Sequence, residues 1–334
     1  MKRVGIIGAG GMGGFHLSRW KQLPVEVIGY YDERAEQAAA RVEQFGGRAF
    51  ATIDELLHEV DLVDICTPPT AHAGPVMAAV QAGKDIVCEK PIARHLREAE
   101  EMIAACEAAG VRLFIAQVVR FFPEFTHAKQ VLDSGALGTP GVVRTIRSSS
   151  FPGCGWYGNF AESGGVILDL AIHDIDYLQW ICGPITRVFG RGLSFQNIPG
   201  TDHALITLRF ASGAIGHVEA SWAYPTGNFR TFLEIAGTEG VLHHNSEDVA
   251  PLQIRLHEQA RAEHEAVPVP GSIVATADDP YYRELKHFVE CLESGADFLV
   301  APRDALSALK VALATIESMR TGRPIDIATF EEES

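Results

Sequence analysis

Three side chains in this 334-residue sequence have the types and placement to move a proton. Asp169 and His173 are four positions apart in the largely apolar stretch from Gly165 to Trp180, which Gly183-Pro184 ends. A helix there projects both from one face, one turn apart and at least partly buried. A neutral imidazole, with an ordinary pKa of about 6.5, suits removal of a hydroxyl proton near neutral pH. The Asp169 carboxylate could orient this histidine or Lys90 and tune the pKa of either. Lys90 follows the apolar run Asp85-Ile-Val-Cys88 within Glu89-Lys90-Pro91, where the proline biases the lysine towards an extended backbone. Its ammonium could stabilise the charge of a developing alkoxide. Taken singly, the pair also reads as a carboxylate satisfying a core histidine, and Lys90 as a solvated loop lysine. What distinguishes these readings is the framework that carries the residues.

That framework starts at the first residues. Arg3-Val-Gly-Ile-Ile-Gly8 is long enough for one buried strand, Gly8-Ala-Gly-Gly-Met-Gly13 reads as a turn, and a helix follows to Trp20. In such a turn Gly8 takes the tight bend, Gly10 admits a pyrophosphate, and Gly13 lets helix and strand pack closely. Gly11 and Met12 lie at the positive end of the helix, where free N–H groups receive phosphate. A second apolar strand, Val25 to Tyr31, delivers Asp32 nineteen positions after Gly13, placed to accept the ribose hydroxyls of an adenosine. Strand-like and helix-like segments then alternate to about Gln117, including a capping-box pattern at Thr52-Ile-Asp-Glu55. This is the pattern of a parallel sheet covered on both faces. Its carboxyl edge should gather Gly8 to Gly13, Asp32, Thr67-Pro68, Glu89-Lys90 and Gln117 on one rim.

Beyond Phe121 the apolar period becomes two, as in His203 to Phe210, Ala214 to Trp222 and Arg230 to Ala236. The expected division is a dinucleotide-binding domain over 1–121 and, over 122–334, an α+β substrate domain with an open, mostly antiparallel sheet. Val218, Ala220 and Trp222 alternate with His217, Glu219 and Ser221, which predicts an uncovered sheet face that joins copies of the chain. Arg120 is a candidate for a substrate hydroxyl or for an ion pair. Trp156-Tyr157 and Asn159 are candidates for a sugar platform or for packing, and Asp174 and Asp176 for capping or domain contacts.

Composition narrows the partners. A net charge of −15 without a basic stripe argues against nucleic acid. Six scattered cysteines lack a Cys-x-x-Cys pair, and His243-His244 has no partner in zinc spacing, so no metal is expected. The apolar run after Lys2-Arg3 is too short for a signal peptide, and no later run reaches the roughly 18 residues of a membrane helix. A cytoplasmic protein is expected.

The chain resembles the glucose–fructose oxidoreductase, inositol dehydrogenase and related (Gfo/Idh/MocA) family. The resemblance is carried by Gly8-Ala-Gly-Gly-Met-Gly13, Thr67-Pro-Pro-Thr-Ala-His72, Ala82-Gly-Lys84, Cys88-Glu-Lys-Pro91 and Gly164-Gly-Val-Ile-Leu-Asp-Leu-Ala-Ile-His173, spread over most of its length. It implies a Rossmann domain, an open-faced second domain often used for oligomerisation, and NAD(P)-linked oxidation or reduction of sugars and cyclic polyols. Lys90, Asp169 and His173 then take the places of the family's catalytic lysine, aspartate and histidine, and His72 joins the cofactor rim. Asp32 fits NAD better than NADP, while Arg34 leaves NADP use open. Two alternatives remain at this level: a glycosidase-like enzyme that retains NAD, and a non-catalytic NAD-binding regulator.

Overall fold

The computed structural model describes residues 1–153, 155–194, 200–225, 228–248, 252–256 and 279–332. They form two compact units: Met1–Val118 with Asp279–Leu306, and the described parts of Val119–Asp278 with those of Ser307–Ser334.

The first unit is a six-stranded parallel sheet. Its strands are β1 (Lys2–Ile7), β2 (Val25–Tyr31), β3 (Arg48–Ala49), β4 (Leu62–Ile65), β5 (Asp85–Glu89) and β6 (Leu113–Ala116). Their order, β3-β2-β1-β4-β5-β6, reverses direction at β1. The crevice outside the carboxyl ends of β1 and β4 is therefore the switch point where open α/β sheets take ligands. Val4, Ile6, Leu62, Val63, Ile65, Ile86 and Val87 are wholly buried, as strands covered on both faces require. Helix α1 (Gly11–Trp20) follows β1.

The helix Pro280–Ser294 also belongs to this unit, whereas the sequence pattern assigns all of 122–334 to the second domain. The reason lies in its side chains. Tyr281 meets Phe15 edge to face, Phe288 packs on Trp20 and Phe114, and Asp279 accepts hydrogen bonds from the Arg19 guanidinium. Periodicity reveals an apolar stripe but not which sheet it covers.

The second unit is a mixed eight-stranded sheet made of β7 (Pro140–Ser149), β8 (Ile185–Leu193), β9 (His203–Phe210), β10 (Ile215–Ser221), β11 (Phe229–Gly237), β12 (Gly240–Asn245), β13 (Leu252–Leu256) and β14 (Ile325–Asp326). The order is β13-β12-β11-β7-β10-β9-β8-β14, with only the central β7–β10 pair parallel. One face carries a π-helical turn, Ile167–Ala171, that continues into a helix, Ile172–Cys182. The helix Pro302–Thr321 runs so close to β8 that a Cβ at Gly190 would sit 2.9 Å from the Thr315 side chain.

Of the two faces of β10, the one that carries Val218, Ala220 and Trp222 is covered. Val218, Ala220 and Trp222 are at most 1% exposed, because the π-turn and the following helix cover them. The uncovered side is their alternate: Val142 and Ile215, paired across β7 and β10, and Leu205 of β9, which pairs with Glu219, are 38%, 45% and 54% exposed. Among the described residues no helix is long and apolar enough to cross a membrane.

Two buried ion pairs hold the helix Ile172–Cys182. The Arg147 guanidinium of β7 donates to both Asp174 oxygens at 2.8 and 3.2 Å, and Arg120 donates to both Asp176 oxygens at 2.8 and 2.7 Å. Removing one partner from such a pair leaves an uncompensated charge inside the protein. Asp174→Ala should therefore lower unfolding free energy by about 3–5 kcal/mol, read from the shift in urea midpoint at constant slope.

Candidate functional site

In the first unit each glycine of the opening turn has a separate physical reason. Gly8 has φ +93°, and a Cβ there would stand 2.7 Å from the backbone of Cys66 and Thr67 at the end of β4. A Cβ at Gly13 would stand 2.0 Å from the Gly8 carbonyl oxygen, so only glycine allows α1 to approach. At Gly10 and Gly11 a Cβ would meet nothing within 4 Å. That open space adjoins the amino end of α1, which no side chain caps and whose first turn has no acidic residue. The Arg41 guanidinium donates to the Ala9 and Gly10 carbonyl oxygens at 2.9 and 2.8 Å, fixing the loop from behind. Met12, half-buried, lies in the first helical turn. These features suit a dinucleotide pyrophosphate.

Asp32 follows β2. One of its oxygens accepts the Ala9 N–H at 2.8 Å and the other the Arg34 N–H at 2.9 Å, which locks the carboxylate beside the turn. The Arg34 guanidinium is 3.7 Å from it and 66% exposed. After β4, the Thr67 hydroxyl donates to the Ala71 carbonyl at 3.1 Å and fixes the half-buried Pro68 turn. Lys90, half-buried, follows β5 and precedes Pro91 through a cis peptide. Gln117, just past β6, is 1% exposed, and neither atom of its amide group has a hydrogen-bond partner among the described residues. A buried amide in that state is matched by a ligand offering both a donor and an acceptor.

Two residues expected on the cofactor rim face inward instead. Both ring nitrogens of His72 meet backbone carbonyls, Thr67 at 2.9 Å and Ile92 at 3.2 Å, and burial pushes its pKa down. It ties the loop after β4 to the loop after β5. The Glu89 carboxylate lies 3.0 Å from His16 Nε2 on one oxygen and accepts the Lys90 N–H at 2.9 Å on the other. Both residues hold the rim; neither turns a polar group towards a ligand.

In the second unit Asp169 lies in the π-helical turn and His173 in the first turn of the helix after it. The sequence pattern reads one uninterrupted helix over this stretch. Five-residue π spacing leaves no periodic mark, and such turns recur at functional positions. The Trp222 indole N–H donates to Asp169 Oδ2 at 3.0 Å. Trp222 also meets the edge of Tyr157, whose ring stacks on half-buried Trp156 with centroids 3.9 Å apart. A carboxylate, an indole donor and an aromatic pair are thus linked in one chain of contacts. Trp222 was not singled out for chemistry, because its place in an alternating strand pattern marks it only as core.

Two candidate substrate residues are occupied elsewhere. Arg120 is engaged by Asp176 with only 2% of its side chain exposed. Asn159 caps the short helix Phe160–Ser163, accepting the Ala161 N–H and donating to Glu162. Asp174 and Asp176 are ion-pair partners, not helix caps.

Comparison with known proteins joins both halves of this description. Residues 2–117 match a family profile described as oxidoreductase family, NAD-binding Rossmann fold, and residues 125–243 match the GFO/IDH/MocA C-terminal domain. The chain belongs to the Gfo/Idh/MocA oxidoreductase family. Among its family relatives, D-apiose dehydrogenase of Paraburkholderia graminis is 30% identical, with 98% of this chain and 90% of the relative covered. The NAD(+)-dependent scyllo-inositol 2-dehydrogenase of Bacillus subtilis is 28% identical, with 97% and 96% covered. Among solved structures, a probable dehydrogenase from Thermotoga maritima superposes with a TM-score of 0.83 at 26% identity, over 98% of this chain and 99% of that one. The chain is thus an NAD-binding oxidoreductase of this family.

The locked Asp32 carboxylate sets an electrostatic test. It would oppose the additional phosphate of NADP, so NAD should be the better cofactor. Asp32→Ser should shift the NAD/NADP ratio of kcat/KM towards NADP by about tenfold or more, the effect of removing roughly 1.4 kcal/mol of discrimination. Parallel initial-rate measurements with the two cofactors check it.

Proposed function

We propose that this protein is a cytoplasmic NAD-dependent dehydrogenase that transfers hydride between nicotinamide and a hydroxyl-bearing carbon of a sugar or cyclic polyol. The observation that carries this reading is the survival in one chain of an open nucleotide turn at Gly10 and Gly11 together with Lys90, Asp169 and His173. The names of the apiose and inositol dehydrogenases among its relatives support the substrate class.

In this reading Gly8 to Gly13 and the amino end of α1 hold the pyrophosphate, Asp32 the adenosine ribose, and Thr67, Pro68 and Gln117 the remainder of the cofactor. Bound NAD supplies the hydride acceptor. His173 takes the hydroxyl proton as the carbon gives up its hydride, and returns one in the reverse direction. Lys90 places positive charge against the oxygen as it becomes an alkoxide. Asp169 is the orienter, itself held by the Trp222 N–H. The Trp156–Tyr157 stack offers the flat apolar surface against which the C–H face of a sugar ring packs.

We also assign the uncovered sheet face, with Val142, Leu205 and Ile215, to contact between copies of the chain. Exposed apolar side chains on three neighbouring strands of one face favour a partner surface over water. A monomeric mass across a wide concentration range in sedimentation would remove this assignment.

The test of the chemistry is single-turnover hydride transfer with a substrate found by screening sugars, inositols and other polyols for NADH absorbance. His173→Ala and Lys90→Ala should each slow transfer by about 10²-fold or more. Trp156→Ala should raise the substrate KM more than it lowers kcat. Unchanged rates in both the histidine and the lysine variants, with folding verified, would leave a nucleotide-binding protein without this chemistry.

A further inference from the structure

Behind the rim of the first unit lies a buried polar cluster that the proposed reaction does not use. His16, on α1 just after the glycine turn, is wholly buried with a carboxylate against each ring nitrogen: Asp64 of β4 at 3.0 Å from Nδ1, and Glu89 of β5 at 3.0 Å from Nε2. Asp64 also accepts the Trp20 indole N–H at 2.6 Å and the Cys66 thiol at 3.4 Å. The Tyr281 ring closes the remaining side, its centroid 6.1 Å from that of the imidazole.

A neutral imidazole offers the two carboxylates no charge, whereas an imidazolium donates from Nδ1 to Asp64 and forms an ion pair with Glu89 at Nε2, a contact without hydrogen-bond geometry. Burial by itself would lower the His16 pKa, but the Asp64 charge beside it holds the pKa well above its ordinary value. Burial also pushes the Cys66 thiol pKa up, so that group stays a donor. The second oxygen of Glu89 accepts the backbone N–H of Lys90 at 2.9 Å. An unbroken path therefore runs from the helix that begins at the nucleotide turn, through His16 and Glu89, to the peptide that carries Lys90.

We propose that His16 is a positioning residue for the hydride-transfer step: paired with Asp64 and Glu89, it holds the Glu89 carboxylate under the Lys90 peptide and registers that lysine against the nucleotide turn. The proposal rests on the reading of Lys90 given above. Without the imidazolium, two buried carboxylates lose their shared countercharge. Glu89 then swings away and the Lys90 amide loses its acceptor, or it takes up a proton and holds that amide less strongly.

The experiment compares His16→Gln, Glu89→Gln, Glu89→Ala, the double variant His16→Gln/Glu89→Gln and Lys90→Ala in the full chain. Single-turnover rate, substrate KM, NADH affinity by fluorescence and Tm are measured for each. His16→Gln should lower the transfer rate by about 10- to 10²-fold, the scale of a small misplacement of a reacting group. Substrate KM and NADH affinity should change by less than about threefold, since the glycine turn remains. Glu89→Gln keeps an acceptor for the Lys90 N–H and should lose much less than Glu89→Ala. The double variant, in which two amides can pair without charge, should recover most of the rate lost in His16→Gln.

A His16→Gln protein with lowered Tm but a rate within threefold of the parent would reduce His16 to core packing and overturn the proposal. So would equal losses in Glu89→Gln and Glu89→Ala, a comparison that serves even where His16→Gln fails to fold. If Lys90→Ala transfers hydride at the parental rate, the reading of Lys90 fails. If Lys90→Ala is inactive while His16→Gln is not, only the positioning role fails.

Discussion

The first unit depends on one close approach, that of α1 to the strand before it. The space a Cβ would need at Gly13 is filled by the Gly8 carbonyl, so the helix can press against the turn only because the side chain is absent. From that contact the rest follows by geometry. The amino end of α1 is left open towards Gly10 and Gly11, and one turn later His16 arrives between Asp64 and Glu89. The same helix rotation buries Leu17 and Trp20 in the core. A longer side chain at position 13 would disturb nucleotide contacts and the support of Lys90 together, although neither touches that position.

In the second unit the corresponding constraint is electrostatic. Asp174 and Asp176 project from different sides of the helix Ile172–Cys182, and each meets an arginine through two hydrogen bonds. Two anchors on different sides fix both the depth and the rotation of a helix, where one would leave it free to roll. His173 stands beside the first anchor in sequence, so its direction is inherited from charge pairs with no part in proton transfer. This cost of burying charge is consistent with a demand for one orientation rather than for stability alone.

Much of the first unit was legible in the sequence because its signals are local. Gly8 and Gly13 read correctly as turn and close packing, and Thr52 does accept the Glu55 N–H at 3.1 Å as its capping pattern implies. The parallel and mostly antiparallel sheets were visible in the change of apolar period. What escaped depends on which surfaces meet. A period of two shows that β10 has two faces without saying that the helix covers the one with Val218 and Trp222. His72 and Glu89 sit at the proper strand ends, but spacing gives no sign that their polar atoms turn inward onto Thr67, Ile92 and His16. Arg120 makes an ion pair, one of the two readings its position allows, with an Asp176 whose proximity is set by packing, and Asn159 is satisfied by Glu162 through one short helix.

The helix Pro280–Ser294 has a consequence for how the molecule is made. Phe288 lies against Trp20 and Phe114, residues more than 170 positions earlier in the chain. During synthesis the amino-terminal sheet therefore emerges long before the segment that closes over it, and more than 150 residues must be translated in between. Until then an indole and a phenyl ring that are fully buried in the finished unit lack part of their cover. Domains generally fold as they leave the ribosome, and the cover of this one is complete only once the segment that starts at Asp279 has emerged.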